Sequence, residues 1–359
     1  MQRGDLIAGR FEVERFVARG GMAEVYRARD RVSGKPVAIK IVTLDEVMSE
    51  ERVAQEARAL AELRHPAIVR YVTHDRDPRC GLFLAMEWLH GISLAERLKQ
   101  GALSIEEALD LVARIADGLA VAHAAGMVHR DIKPLNIFLV NESLERVKIL
   151  DFGIVRIGDL APITAPGLGM GTPHYMAPEQ ARGERNIGPQ ADVFALGGVL
   201  YRCVTGRSAY GGKQLEAILA KIAMATEAPR VSEVLERVPP ELDDLVANLM
   251  AAEPARRPPD AAAAAAYIRA VRRALTMGHD ATLELELETT TLTEREIQPV
   301  AVIFADLELE EADTLPSPAA VDVKKLAAAV DARKRTTAVD ARKLAAASAR
   351  ELDSLNDSR

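Results

Sequence analysis

The chain has 359 residues, more than one small domain needs, with 48% hydrophobic and 28% charged side chains, the ordinary makeup of a globular protein. Its richest apolar stretch, Asp192–Tyr201, is too short to span a bilayer, and the first ten residues hold no apolar core of signal-peptide length. Two cysteines, Cys80 and Cys203, argue against a disulfide scaffold or a cysteine zinc site, so a membrane protein, a secreted disulfide module and a zinc finger are set aside and the cytoplasm is the expected location. The net charge of -7 is unevenly spread: residues 1–274 carry 36 acidic and 36 basic groups, residues 275–320 carry 11 and 1, and residues 321–359 carry 6 and 9. A neutral body gives no electrostatic footprint for nucleic acid, and the asymmetry marks a boundary near residue 275.

In chain order, the first 90 residues read as strands with one helix. Phe11–Val17 partly alternates apolar and polar, and Val37–Val42 is a β-branched run broken by Lys40. The turn-rich Arg19–Tyr26 lies between them and leads into another short strand. Residues 46–63 place Val47, Val53, Ala57, Leu60 and Leu63 near helical spacing, with Pro66 beyond the end. From about residue 91 the pattern turns helical. Ser104-Ile-Glu-Glu107 fits a capping box, and Ile105, Ala108, Leu109, Val112, Ile115, Ala116, Leu119 and Ala120 form one stripe, with Gly126 just past its end. Ile137–Val140 and Val147–Leu150 read as a hairpin. Helices are expected around 177–183, 190–205, 213–225, 241–251 and 260–274. The result is a small β-rich lobe and a larger helical lobe with a cleft between them.

Beyond residue 275 the texture changes. Thr282–Thr291 alternates like a strand, but its polar positions are acidic and it has no obvious partner. Val321-Asp322, Val330-Asp331 and Val339-Asp340 mark a nine-residue repeat rich in alanine and basic residues. Nine residues are 2.5 helical turns, so the valines fall on opposite faces and form no coiled-coil seam. Residues 275–359 therefore read as a mostly mobile tail, an acidic linker over 275–320 and a partly helical segment over 321–359.

Several polar groups stand out from these structural patterns. Lys40 interrupts an apolar strand and must find an anion there, for which Glu56 on the following helix is the natural partner. His129-Arg-Asp-Ile-Lys-Pro-Leu-Asn136 packs an acid, two bases and an amide into eight residues, and Asp151-Phe-Gly153 directly follows a strand. A cleft holding Lys40, Asp131, Asn136 and Asp151 suits phosphoryl transfer, which needs charge neutralisation, metal-binding oxygens and a hydroxyl acceptor. His129 reads as a core histidine packed beneath this loop, and Cys80 and Cys203 as structural thiols.

In the order and spacing of these motifs, residues 11–274 resemble the eukaryotic-like (Hanks-type) protein Ser/Thr kinases of bacteria. The resemblance implies an α+β, bilobal protein-kinase fold with an N-lobe over about 11–86, a C-lobe over about 91–274 and the disordered tail beyond. It implies Mg-ATP as phosphoryl donor and protein Ser/Thr hydroxyls as acceptors, with autophosphorylation. Asp131 would take the hydroxyl proton, Lys133 would lie beside the γ-phosphate and Lys40 would hold the α and β phosphates. Asn136 and Asp151 would bind Mg2+. Val17, Ala18, Gly20, Val25, Ala38, Glu56 and Phe138 would surround the nucleotide. Met86 would be the gatekeeper, and Glu87 and Leu89 would offer backbone groups to adenine. Thr172 would contact Asp131 and Lys133, Glu179 would pair with buried Arg257, and Asp192 would brace the catalytic loop. Arg130 before the catalytic aspartate marks kinases steadied by an activation-loop phosphate, for which Thr164 is the candidate. The glycine-rich loop departs from the pattern, with Ala18 and Ala23 where the family has glycine, which implies weaker ATP binding. Leu135 replaces an acidic or small residue and leaves peptide specificity open.

Two other readings stand beside this one. A pseudokinase would keep the cleft as a nucleotide-sensing module or scaffold, although the joint presence of Lys40, Glu56, Asp131, Asn136 and Asp151 argues for turnover. Alternatively the tail is the working part, with Thr289–Thr293 phosphorylated and read by a phosphothreonine-binding partner. Pro299–Leu307 resembles the opening strand of class III nucleotide cyclases, where Asp306 would bind metal. Too little chain follows to build that domain, and no cyclase activity is expected. Back-to-back homodimers are common among such kinases, but nothing in these residues specifies one.

Overall fold

The computed structural model describes residues 1–19, 23–42, 60–152, 173–212 and 214–289, with side chains up to residue 277. Six strands form the upper sheet: β1 (Leu6–Ile7), β2 (Phe11–Arg19), β3 (Ala23–Asp30), β4 (Pro36–Val42), β5 (Tyr71–Asp77) and β6 (Gly81–Glu87). They pair antiparallel in the order β1-β2-β3-β4-β6-β5. Alternation decides the faces. Val37, Ile39 and Ile41 of β4 pack with Phe11, Val13, Phe83 and Ala85 in one small core, where Phe11 meets Phe83 edge-on at 5.8 Å. Ala38 and Lys40 consequently face the other side, toward the lower lobe. The β3–β4 turn is fixed by Asp30, which accepts from both Nε and Nη2 of Arg10 (2.8 and 2.9 Å), from Ser33 Oγ and from the Val32 N–H. These hydrogen bonds, Arg10 foremost, hold the Asp30 carboxyl well below the usual carboxylate range against the opposing effect of burial.

The lower lobe carries a second sheet of β7 (Gly91–Ser93), β8 (Ile137–Val140) and β9 (Val147–Ile149), so the expected hairpin is present as β8–β9. Its helices are α1 (Leu94–Arg97), α2 (Ile105–Ala124), α3 (Pro178–Ala181), α4 (Gln190–Thr205), α5 (Leu215–Ala223), α6 (Pro240–Leu249) and α7 (Ala261–Thr289). The capping box closes the start of α2 in both directions, Glu107 N–H to Ser104 Oγ at 3.1 Å and Ser104 N–H to Glu107 Oε2 at 2.9 Å. Gly126, at φ +75°, follows the end of α2, a backbone conformation that glycine takes without strain. Helix α4 is buried along nearly its whole length, which accounts for the apolar Asp192–Tyr201 stretch as a core helix. It crosses α6 so closely that a Cβ on Gly197 would meet Met250 Cγ at 2.7 Å and Leu249 Cβ at 2.8 Å.

The last helix departs from the sequence reading. It does not stop at 274 but continues through Thr289, past the start of the strand-like alternation at Thr282. The Leu-Glu alternation of 282–288 has period two, yet both residue types are strong helix formers, and propensity prevails over the pattern. Helix α7 is held along α2 by ion pairs from Arg269 to Asp117 and from Arg272 to Asp110. Most of the helix expected over 46–63, the segment Pro299–Leu307 and the nine-residue repeat lie outside the described residues. Among the described residues no helix is long and apolar enough to cross a membrane.

Candidate active site

The cleft floor is a strained loop hung from one buried carboxylate. Asp192 of α4, fully buried, accepts from the His129 N–H through Oδ2 and from the Arg130 N–H through Oδ1, both at 2.7 Å. His123 Nε2 lies 3.0 Å from the same Oδ2, while His123 Nδ1 accepts from the Ala261 N–H at the start of α7 at 3.1 Å. These bonds hold Arg130 at φ +64°, a left-handed conformation that costs a branched-free but bulky residue free energy unless its surroundings fix it. On the other side of that peptide, Gln180 Nε2 donates to the Arg130 carbonyl at 3.0 Å. His129 is fully buried, 4.7 Å ring to ring from Phe152. Its Nε2 bonds the Leu150 carbonyl at 2.9 Å and its Nδ1 accepts from the Asp131 N–H at 3.2 Å. Both ring nitrogens are thus occupied in structural roles.

From this loop Asp131 presents its carboxylate. Lys133 Nζ donates to Asp131 Oδ2 at 2.7 Å, and Asn136 Nδ2 donates to the same oxygen at 3.0 Å and to the Asp131 carbonyl at 2.8 Å. The Leu150 N–H bonds the Asn136 carbonyl at 2.8 Å, which ties this cluster to the strand end carrying Asp151. Asp151 itself sits at φ +53° and faces Lys40, with Nζ to Oδ1 at 2.8 Å. Burial works against its charged form, but Lys40, by charge and by hydrogen bond, keeps the carboxyl below its ordinary range. Among the described residues the anion that Lys40 meets is Asp151, while the partner expected from the sequence, Glu56, is not among them. Gly20, Thr164 and Thr172 also lie outside the described residues.

On the cleft roof the register places Val25 opposite Lys40, Ala18 opposite Val25, and Ala38 opposite Met86. Val17 is partly exposed on β2. Behind Met86 a pocket is lined by Lys40, Leu60, Val69, Tyr71, Leu84, Asp151 and Phe152. Sequence reasoning missed Leu60, Val69, Tyr71, Leu84 and Phe152 as a wall, because apolar residues carry no signal of which cavity they line. Glu87 ends β6 and Leu89 lies in the linker after it. The Glu87 N–H is taken by the Arg70 carbonyl at 2.9 Å, so the group Glu87 can offer a base is its carbonyl. Its side chain, unremarked in the sequence, pairs with Lys148 at 2.8 Å and accepts from the Arg70 N–H. Phe138 of β8 is half-buried and pairs in register with Ser93 and Lys148.

Below the cleft, Arg257 and Glu179 form a two-pronged, buried ion pair at 2.7 and 2.8 Å. Arg257 also donates to the carbonyls of Ala251, Gln190 and Ala252, so the pair leaves few polar groups unsatisfied. Burial pushes the thiols of Cys80 and Cys203 up, to about 11 and about 12, which keeps both protonated and unreactive.

Residues 11–268 match the protein kinase domain family. Similar proteins include the serine/threonine-protein kinase PknL of Mycobacterium bovis, 36% identical over 276 residues that cover 76% of this chain and 68% of that protein. The serine/threonine-protein kinase PknA of Mycobacterium tuberculosis is 37% identical over 263 residues, 71% of this chain and 59% of that protein. Among solved structures, Rad53 1-466 in complex with AMP-PNP aligns with a TM-score of 0.57 and 26% identity over 72% of this chain and 65% of that one. With its two lobes, its aspartate loop and these relatives, the chain belongs to the protein kinase family, among the bacterial eukaryotic-like serine/threonine kinases.

Proposed function

We propose that the chain transfers the γ-phosphate of Mg-ATP to Ser and Thr hydroxyls of proteins, itself included. The observation that carries this reading is the cluster of Lys133 and Asn136 on Asp131, suspended from Asp192 and tied through Asn136 to Asp151 and Lys40. Asp131 accepts the proton of the attacking hydroxyl and aims it at phosphorus. Lys133, already on the Asp131 carboxylate, meets the phosphoryl group in transit with positive charge. Lys40 exchanges part of its hold on Asp151 for the α and β phosphates. Val17, Ala18, Val25 and Ala38 cover the base, with Phe138 beneath it, and the Glu87 carbonyl and Leu89 backbone read its edge.

The donor set fits Mg2+. Asn136 commits its Nδ2 to Asp131 and keeps an amide oxygen, and Asp151 commits Oδ1 to Lys40 and keeps its second oxygen. Two hard protein oxygens completed by phosphate and water are what this ion prefers. Bound Mg2+ would neutralise phosphate charge as it shifts toward the leaving group.

The same proposal covers regulation. The Arg130 Nε is buried without a partner among the described residues, and a phosphate on Thr164 would supply one. Thr172 would sit against Asp131 and Lys133. The body over 11–274, the acidic linker and the repeat tail, a phosphothreonine-binding partner for Thr289–Thr293 and a cytoplasmic setting belong to the same reading. It is tested by following labelled γ-phosphate from Mg-ATP into the protein and into a basic acceptor protein, beside Asp151→Asn. Incorporation that vanishes in the variant supports it. Nucleotide binding with no incorporation in the wild-type protein would assign the chain instead to the pseudokinases, where Ala18 and Ala23 would be the first suspects. Thr164→Ala with unchanged activity and phosphopeptides would remove the activation-loop part alone.

A further inference from the structure

The chain has one tryptophan, Trp88, and it lies between Glu87 and Leu89 in the linker from β6 to β7. Two guanidinium groups from the cleft roof approach its ring: Arg15 of β2 at 5.5 Å from the centroid and Arg27 of β3 at 5.2 Å. Arg15 and Arg27 are partners in the β2–β3 register, and Glu14 Oε2 holds Arg27 Nε at 2.8 Å, which limits how far that guanidinium can swing. The indole N–H is buried and has no acceptor among the described residues. Among the described residues no hydrogen bond therefore fixes the indole N–H, and the ring is held by the two cations and by an edge-on contact with His90 at 6.3 Å.

The position of this stack gives it a consequence. Val25, two residues before Arg27, pairs with Ala18, three residues after Arg15. The stack thus stands midway along the β2–β3 hairpin, with the nucleotide-facing pair Ala18–Val25 further out along the same strands. We propose that Trp88 is a positioning residue for the nucleotide, whose stack with Arg15 and Arg27 sets the height of the β2–β3 hairpin above the linker and so the width of the adenine slot. This rests on the reading of the cleft as the ATP site. A chain with alanine at 18 and 23 gains from such a brace, because a hairpin already placed needs less ordering when the nucleotide arrives.

The test compares AMP-PNP affinity and steady-state kinetics of the full chain in four forms: wild type, Trp88→Ala, Trp88→Phe, and Arg15→Met with Arg27→Met. Two cation–aromatic contacts make a rise of about fivefold in both Kd for AMP-PNP and KM for ATP the expected loss in Trp88→Ala and in the double arginine variant. In both, kcat at saturating ATP stays within about twofold. Trp88→Phe keeps an aromatic face and restores most of the affinity. The arginine variant alters only surface-reaching side chains, so it decides the matter if Trp88→Ala fails to fold. Wild-type affinity in Trp88→Ala or in the arginine variant would overturn the proposal. So would a Trp88→Phe as weak as Trp88→Ala, or a fall in kcat with KM unchanged. A wild-type protein that binds no AMP-PNP would overturn the ATP reading and this inference with it.

Discussion

At the scale of single residues, the cleft is built from charges that satisfy one another. Lys40 rests on Asp151 and Lys133 on Asp131, so neither cation is left buried without an anion. The motifs of residues 129–136 and 151–153 were legible in the sequence because acids, bases and amides crowd into them. The contact of Lys40 with Asp151 was not, since a strand lysine signals only that it needs a partner and not which ones. Gln180 was equally silent: one amide beside a proline-led helix gives no hint that it will hold the Arg130 carbonyl. Away from the cleft, Asp30 makes the clearest pH prediction. Its carboxyl is depressed in the folded protein by Arg10, so the pair stabilises fully at neutral pH, and that stability fades as pH falls from about 4, the unfolded value, through the lower folded one. Thermal melts of wild type and Asp30→Asn across acid pH should therefore differ most at pH 7 and converge toward low pH. A difference that grows on acidification would refute the assignment.

At the scale of elements, periodicity located what it could. The α2 stripe and its capping box, the β8–β9 hairpin and the buried α4 all follow from spacing and end signals. The end of α7 did not, because alternating leucine and glutamate satisfy a strand's period and a helix's propensity together. The close crossing of α4 and α6 was also hidden, since a Gly197-Gly198 pair within a helix reads as weakness until the neighbouring helix is in place. Gly197→Ala should lower stability by about 1–3 kcal/mol, through overpacking against Leu249 and Met250 and despite alanine's better helix propensity. Denaturant unfolding measures this, and a variant as stable as wild type would mean that the two helices part at little cost.

At the scale of the whole molecule, α4 joins the loop that carries Asp131 to the rest of the lower lobe. Asp192 near its start carries the loop above, and the Gln190 carbonyl receives Arg257, which holds Glu179. The ion pair lies 78 residues apart in sequence, and only the family resemblance joined the two residues before the structure did. Arg257→Met should destabilise the protein by about 3–5 kcal/mol, because Glu179 would be left buried and unpaired. Thermal denaturation checks it, and Glu179→Gln in the same background should recover part of the loss.

The central claim is that Asp131, held by Lys133 and Asn136, handles the acceptor hydroxyl and not the nucleotide. Its most direct test measures AMP-PNP binding and γ-phosphate transfer on the same preparations of wild type and Asp131→Asn. The account predicts nearly equal nucleotide affinity and a fall in transfer of about 10²- to 10⁴-fold, the usual contribution of a positioned acid–base group. Transfer at the wild-type rate by Asp131→Asn, with binding intact, would contradict it.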